Sequence, residues 1–232
     1  PNKRCGPTAA RALLPEELEG PGSIFQSTTD TEVVIHLIAT SKESTLMGRI
    51  IEALSRVRGA YSLLFLTLDK LIAARDPYGF RPLVLGRFAA GKNRGAYVVA
   101  SETCALDLIE AEYVRDVEPG EIITLGADGE LESLKPFPPV PHAKCIFEYI
   151  YFARPDSKLF GHNVYQVRKE LGRQLARESG VDADLVTPVP DSGVPAAIGY
   201  AEEAKIPLEF GLIRNHYVGR TFIEPQQTMR NF

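Results

Sequence analysis

Cysteine is scarce in this sequence, which has three cysteines in 232 residues. Such a small and odd number does not fit a disulfide framework and favours a reducing compartment. No signal peptide is visible, so we expect a cytoplasmic protein. No apolar run approaches the ~20 residues that a transmembrane helix needs, so we expect no membrane contact.

The sequence also lacks an excess of positive charge and the short motifs of several enzyme classes. Its net charge is −4 and its pI is about 5.7, which argues against a nucleic-acid-binding surface. HExxH, CxxC, GxGxxG and P-loop motifs are all missing from the printed sequence. The hydrophobic content of 44% is that of an ordinary globular protein, and the length suits two modest domains or one large one.

The first part of the chain has the pattern of helices followed by an antiparallel sheet. Thr29–Glu32 predicts the start of a helix, and apolar residues at helical spacing predict a second helix over about 42–58. The turn at 127–129 joins two β-rich runs and predicts a hairpin. We therefore expect an α+β layer architecture. The runs predicted as strands are 60–68, 70–76, 81–88, 95–102, 121–126 and 130–135, and a short helix is predicted at 104–110.

Four prolines in the seven residues of KPFPPVP (135–141) predict a linker, because proline lacks an N–H donor and restricts φ. We place the domains at 1–137 and 138–232. After the linker the pattern alternates, which predicts βαβ units and a parallel sheet. The predicted strands are 146–153, 184–190 and 206–215, and the predicted helices are 163–179 and 194–204.

Four places could carry chemistry, and each has a plainer structural interpretation. Asp30 could hold a substrate ammonium or could cap its helix. RDPYGFRPL (75–83) could be a site or a salt-bridged hairpin. Asp191 and Ser192 follow a predicted strand and precede a helix, so they could bind phosphate or Mg²⁺ or could form a capped polar loop. The segment 214–230, with three arginines, could be a mobile lid over an anionic substrate or a surface loop.

Several motifs, taken together, resemble those of the glutamine phosphoribosylpyrophosphate amidotransferase family. The resemblance covers about residues 24–232, and its most specific parts are EYIYFARPDS and HYVGRTFI. It implies the first step of purine nucleotide synthesis. It also implies the C-terminal part of an N-terminal-nucleophile glutaminase sandwich, followed by the start of a parallel-sheet phosphoribosyltransferase domain. The motifs are TTDTEV (28–33), RDPYGFRPL (75–83), ASE (100–102), CIFEYIYFARPDS (145–157), PVPDSGVPAA (188–197) and NHYVGRTFI (215–223).

The resemblance also implies roles for particular residues. Asp30 matches the position that holds the glutamine α-amino group, and Ser192 matches a Mg²⁺-binding position beside phosphoribosylpyrophosphate. Cys145 matches the first [4Fe–4S] ligand position in one branch of the family, while another branch keeps a buried strand cysteine there. The residues implied in the loop that closes over the substrate and forms the ammonia channel are Arg214, Tyr217, Arg220 and Ile223.

The family nucleophile, an N-terminal cysteine, is not found in this chain. Cys5-Gly6 does not qualify, because four residues precede it and the nucleophile needs its own free α-amine. A cubane cluster needs about four thiolates, more than the three cysteines present. We therefore interpret the sequence as an internal fragment that is inactive alone in both half-reactions.

The resemblance implies glutamine and phosphoribosylpyrophosphate as ligands, Mg²⁺ as cofactor, purine nucleotides as candidate inhibitors and a homo-oligomeric full-length protein. Three alternatives stay open at this point. The chain could come from another class II glutamine amidotransferase, such as an asparagine synthetase. It could also be a non-catalytic module that binds nucleotide or phosphoribosylpyrophosphate, or a structural domain without a ligand.

Overall fold

The computed structural model describes residues 25, 26 and 29–217. The chain divides into two compact units, Pro1–Glu148 and Tyr149–Phe232. The division comes later in the chain than the boundary that the proline-rich run predicts after residue 137. Within the described ranges, no helix combines the length and the apolar character needed to cross a membrane.

In the described part of the first unit, the two predicted helices come first, as α1 (Asp30–Thr40) and α2 (Leu46–Arg56). Helix α2 starts later than predicted because Thr45 is its N-cap, and the Thr45 side chain accepts a hydrogen bond from the Gly48 N–H at 3.0 Å. This bond satisfies one of the backbone donors that have no partner inside the helix.

Seven strands follow the two helices. They are β1 (Ser62–Leu66), β2 (Lys70–Arg75), β3 (Val84–Phe88), β4 (Tyr97–Ala100), β5 (Ala111–Asp116), β6 (Ile122–Gly126) and β7 (Leu131–Leu134). They form two antiparallel sheets, with strand orders β1-β2-β6-β7 and β4-β3-β5. The pairs β1–β2, β3–β4 and β6–β7 are consecutive in the chain, whereas β2–β6 and β3–β5 are joined by longer connections. The antiparallel pairing agrees with the predicted α+β unit. A short helix, α3 (Thr103–Leu108), precedes β5.

Alternation along β2 divides the core of this unit into two layers. Ile72 and Ala74 pack with the buried residues of α1 and α2, whereas Ala73 packs on the other face with Leu83 and Leu85. Successive side chains of a strand point to opposite faces, so one strand contributes to both layers. The first sheet therefore lies between the two helices and residues of the second sheet.

The predicted hairpin is confirmed, because β6 and β7 pair antiparallel. The Gly126 N–H donates to the Glu130 carbonyl at 2.9 Å, and Gly129 has a φ of 85°. Glycine adopts this left-handed conformation without the steric cost that a Cβ would add.

Around the end of the first unit and the start of the second, the predicted strand over 146–153 is wrong, because Glu148–Phe152 forms a π-helix. The aromatic composition favours a strand, but a residue from a later helix decides the outcome. The side chain of Arg168, which is 3% exposed, donates to the carbonyls of Tyr149 and Ala153. It thereby satisfies acceptors at the helix end that would otherwise favour pairing with another strand.

The two helices predicted for the second unit are confirmed as α4 (Val164–Glu178) and α5 (Val194–Ala204). They cross at close range through glycines. A Cβ on Gly172 would overlap the Ala196 carbonyl oxygen, and one on Gly199 would overlap the Lys169 carbonyl oxygen. The short strands β8 (Lys158–Leu159) and β9 (His162–Asn163) pair antiparallel before α4.

The strands predicted at 184–190 and 206–215 do not form in the described part of this unit. They meet at one parallel bridge, between Val186 and Leu208. Pro188 and Pro190 follow Val186 and lack the N–H groups that would extend a ladder. The parallel direction of the prediction is thus correct, but its extent is not.

Candidate functional site

Asp30 is the first residue of α1 and follows the N-cap residue Thr29. Its side chain is outside what the structure describes, so its contact with a substrate ammonium stays a prediction.

The turn of the RDPYGFRPL motif is built around a buried carboxylate. Asp76 is 0% exposed, and its side-chain oxygens accept the backbone N–H groups of Tyr78 at 3.0 Å and Phe80 at 3.2 Å. Burial raises the pKa of the Asp76 carboxyl, although these backbone donors and the charge of Arg75 oppose the rise. The carboxylate is therefore used to shape the turn.

Arg75, the last residue of β2, forms hydrogen bonds to the same turn. The guanidinium group is almost fully buried, with 2% of the residue exposed. Its nitrogens donate to three backbone carbonyls, those of Arg81 at 2.9 Å, Val117 at 2.5 Å and Gly79 at 3.3 Å. Of the two interpretations of this motif, the structural hairpin is the better supported, with Arg75 bound to carbonyl oxygens.

Sequence reasoning also missed the buried carboxylate of Glu121 in the first unit. Glu121 is 1% exposed and accepts from both terminal nitrogens of Arg115 at 2.7 and 2.8 Å, and from Ser133 Oγ at 2.6 Å. Burial alone would raise the pKa of Glu121, but the hydrogen bonds from these groups and from the Glu118 N–H outweigh it, and the pKa is lowered. The sequence signal that could have revealed this buried charge is a glutamate immediately before the apolar strand β6.

Cys145 is buried, with 4% of the residue exposed, like Cys104 in α3. The burial agrees with one of its two predicted roles, but Cys145 lies in no strand. Within the described ranges, no group of three or more His, Cys, Asp or Glu side chains could hold a metal ion. The chain supplies three cysteines, fewer than the four thiolates or so that a cubane needs, so these residues alone do not fit a cluster.

In the second unit, the structure brings two predicted segments together. Arg214 Nη1 lies 2.8 Å from Asp191 Oδ2, with both side chains about half exposed. Ser192 is the next residue and precedes α5, whose N-cap is Gly193. Tyr217 is fully exposed, while Arg220 and Ile223 lie outside the described residues.

The side chains in this arrangement are of the types that bind a divalent cation and phosphates. Mg²⁺ usually keeps several waters and takes one or two protein oxygens together with substrate phosphates. Asp191 and Ser192 fit such an ion, although they could not enclose it alone. The guanidinium of Arg214 favours phosphate. The start of α5 contributes less, because the Val194 N–H already donates to the Asp191 carbonyl at 3.3 Å and Pro195 has no N–H.

Comparison with known proteins defines the class. A family model described as "Glutamine amidotransferase domain" matches residues 8–108. This stretch includes α1, α2, α3 and the strands β1 to β4, so the similarity to that domain lies in the first unit.

The relatives are more specific. An amidophosphoribosyltransferase of Rhizobium etli is 54% identical over 223 residues, covering 94% of this chain and 44% of the relative. A chloroplastic amidophosphoribosyltransferase of Glycine max is 57% identical over 211 residues, covering 91% and 36%. The chain is therefore homologous to amidophosphoribosyltransferases over most of its length.

A solved structure gives the same result for the fold. The glutamine phosphoribosylpyrophosphate amidotransferase from B. subtilis, complexed with ADP and GMP, matches with a TM-score of 0.85 and 50% identity. The match covers 97% of this chain and 48% of that one. The chain thus has the mixed α/β fold of that enzyme and spans less than half the length of each of these three relatives.

Proposed function

We propose that the whole protein transfers the amide nitrogen of glutamine to phosphoribosylpyrophosphate. Water hydrolyses the amide to glutamate, and the released ammonia displaces pyrophosphate to give 5-phosphoribosylamine. The observation that carries the proposal is the match to amidophosphoribosyltransferases over 223 residues. The first unit ends at Glu148, so a match of this length includes both units.

The first unit is proposed to be part of an N-terminal-nucleophile glutaminase sandwich, in which Asp30 binds the α-ammonium group of glutamine. A carboxylate in the first turn of a helix is well placed to receive a cation if it points outward. We do not propose any cysteine of this chain as the nucleophile of the family.

The second unit is proposed to be the start of a parallel-sheet phosphoribosyltransferase domain. Ser192 and Asp191 would supply oxygens to the Mg²⁺ that accompanies the pyrophosphate group, and Arg214 would pair with the phosphates. Tyr217, Arg220 and Ile223 are proposed to belong to the loop that closes over the substrate and lines the ammonia path.

Purine nucleotides are proposed as inhibitors, since the B. subtilis relative was solved with ADP and GMP. The [4Fe–4S] ligand role of Cys145 stays a prediction for the whole protein, as do the cytoplasmic location and the homo-oligomer. The inactivity of these 232 residues alone also stays a prediction.

The proposal is tested by separating the two half-reactions in the whole protein. Pyrophosphate release is measured with glutamine or with ammonium as the nitrogen source. Asp30→Ala is expected to abolish the glutamine-dependent rate and to keep the ammonium-dependent rate, because it acts only on glutamine binding. Ser192→Ala is expected to lower both rates.

An exposed carboxylate in the first unit, Asp128 in the β6–β7 turn, provides the matched control as Asp128→Ala. Release of pyrophosphate from neither nitrogen source by the unmodified protein would contradict the proposed function. Binding of phosphoribosylpyrophosphate without any turnover would favour the alternative of a non-catalytic module.

A further inference from the structure

The RDPYGFRPL turn holds a segment that is distant in sequence. The Ala143 N–H donates to the Tyr78 carbonyl at 2.8 Å, and the Cys145 N–H donates to the Phe80 carbonyl at 3.0 Å. Donors two residues apart thus meet acceptors two residues apart, which is the spacing by which an extended peptide adds to a sheet edge. The contact explains why the first unit extends to Glu148 and not to the linker prolines.

The turn is held by hydrogen bonds of its own, which do not involve the segment. Asp76 holds the N–H groups of Tyr78 and Phe80 through its side chain. Its backbone carbonyl accepts from the Gly79 N–H at 3.0 Å, and this N–H lies in the same peptide plane as the Tyr78 carbonyl, so the Tyr78 carbonyl is fixed in direction. Gly79 has a φ of 63°, and a Cβ there would lie 2.7 Å from Pro119 Cγ. The acceptor at Tyr78 is therefore preorganised, which lowers the entropy lost when the segment binds.

A charge pair lies at the end of the segment. Glu148 is 2% exposed, and its Oε1 lies 2.6 Å from Nε of Arg81, the residue after Phe80. Burial raises the pKa of Glu148, and the charge of Arg81 opposes the rise. Arg81 thus makes it less costly to bury an ionised carboxylate at this position.

We propose that the turn Asp76–Arg81 is a positioning element that docks residues 143–148 and so fixes where the chain leaves the first unit. Its charged residues serve this docking and do not contact substrate. Cys145 is buried as a consequence of the docking. The docking does not depend on the proposed catalytic activity, because all its contacts lie within the first unit.

The two buried thiols make a direct test possible. Cys145 lies in the docked segment and Cys104 lies in α3, and each residue is 4% exposed. Labelling with iodoacetamide, read out for each cysteine by peptide mass spectrometry, measures how often each site opens. Opening confined to the segment accelerates labelling of Cys145 alone, whereas opening of the whole unit accelerates labelling of both.

Ala143→Pro removes the N–H that donates to Tyr78 and should accelerate labelling of Cys145 about tenfold, the equivalent of about 1.4 kcal/mol. Labelling of Cys104 should not change. His142→Pro is the matched control, because it adds a proline at the neighbouring position without removing the Ala143 donor. Equal labelling of Cys145 in the two proline variants would overturn the proposal.

A second set of variants covers the case in which Ala143→Pro does not fold. Arg81→Met leaves Glu148 buried without its cation and should also accelerate labelling of Cys145 selectively at neutral pH. Adding Glu148→Gln should restore slow labelling, because a neutral side chain needs no counter-ion. If the double variant labels as fast as Arg81→Met, or if Cys104 accelerates in parallel, the positioning role is wrong.

Discussion

Two turns of this molecule contain charged residues, but one turn buries its carboxylate and the other exposes it. In the turn Asp76–Arg81, the carboxylate of Asp76 is 0% exposed and is bound by backbone N–H groups of the same turn. In the loop before α5, the Asp191 side chain is 61% exposed and its described partner is the side chain of Arg214. Buried charges that are bound by backbone are committed to structure, whereas an exposed pair can exchange its partner for a ligand.

The largest expected effect comes from removing a buried charge in the first turn. Arg75→Met leaves three carbonyls without their donor and Asp76 without a nearby cation, so it should lower the free energy of unfolding of the first unit by about 3–5 kcal/mol. Arg214→Met, which removes an exposed arginine, should change stability by less than about 1 kcal/mol. Urea unfolding followed by circular dichroism measures both variants, and equal losses would remove the distinction between the two turns.

The two buried glutamates of the first unit should respond oppositely to pH. The pKa of Glu121 is lowered, so its stabilisation is present above its unfolded pKa of about 4.3 and is lost as the pH falls through the lower folded value. The pKa of Glu148 is raised by burial and by Glu102, against Arg81. Its stabilisation is therefore present below about 4.3 and is lost as the pH rises through the folded value.

The comparison of glutamine variants with the unmodified protein makes this difference measurable. At pH 7, Glu121→Gln should lower the free energy of unfolding by about 1–3 kcal/mol. This difference from the unmodified protein should become smaller as the pH is lowered. The free energy of unfolding of Glu148→Gln should instead increase relative to that of the unmodified protein as the pH rises from 4 to 7. Urea unfolding across this range provides the data, and parallel pH profiles for the two variants would contradict the assigned directions.

The smallest expected effect concerns the exposed pair. If Asp191 binds Mg²⁺ as proposed, Arg214 competes with the ion for the Asp191 carboxylate. Arg214→Gln should then raise the affinity for Mn²⁺, a paramagnetic substitute, by a factor of about 2–5. In the Asp191→Asn background the same substitution should change nothing. Electron paramagnetic resonance of free Mn²⁺ measures both backgrounds, and an equal gain in the two would mean that Arg214 acts only through general charge.

The sequence predicted the helices and turns that depend on neighbouring residues in the chain. Helix α4 and the hairpin β6–β7 follow from apolar spacing and turn residues. The π-helix was missed because Arg168, sixteen residues beyond its end, satisfies the nearby carbonyls. The docking of 143–148 was missed for the same reason, since it needs acceptors at Tyr78 and Phe80 that no local pattern connects to that segment.

The candidate sites divide in the same way. The sequence predicted that Asp191 and Arg214 lie in functional segments, and the structure brings these two side chains together. It did not predict that Arg75 and Asp76 are buried, because a motif with alternating charges and a glycine is equally typical of an exposed loop. Burial depends on Val117 and the second sheet, whose register the local pattern does not determine.

The most direct measurement is amide hydrogen exchange of this chain with and without Mg²⁺ and phosphoribosylpyrophosphate at millimolar concentration. If the exposed loop is the ligand site and the buried turn is structural, exchange should slow in 189–194 and 211–217 and stay unchanged in 75–83. Slowing in 75–83 without slowing in 189–194 would contradict the account.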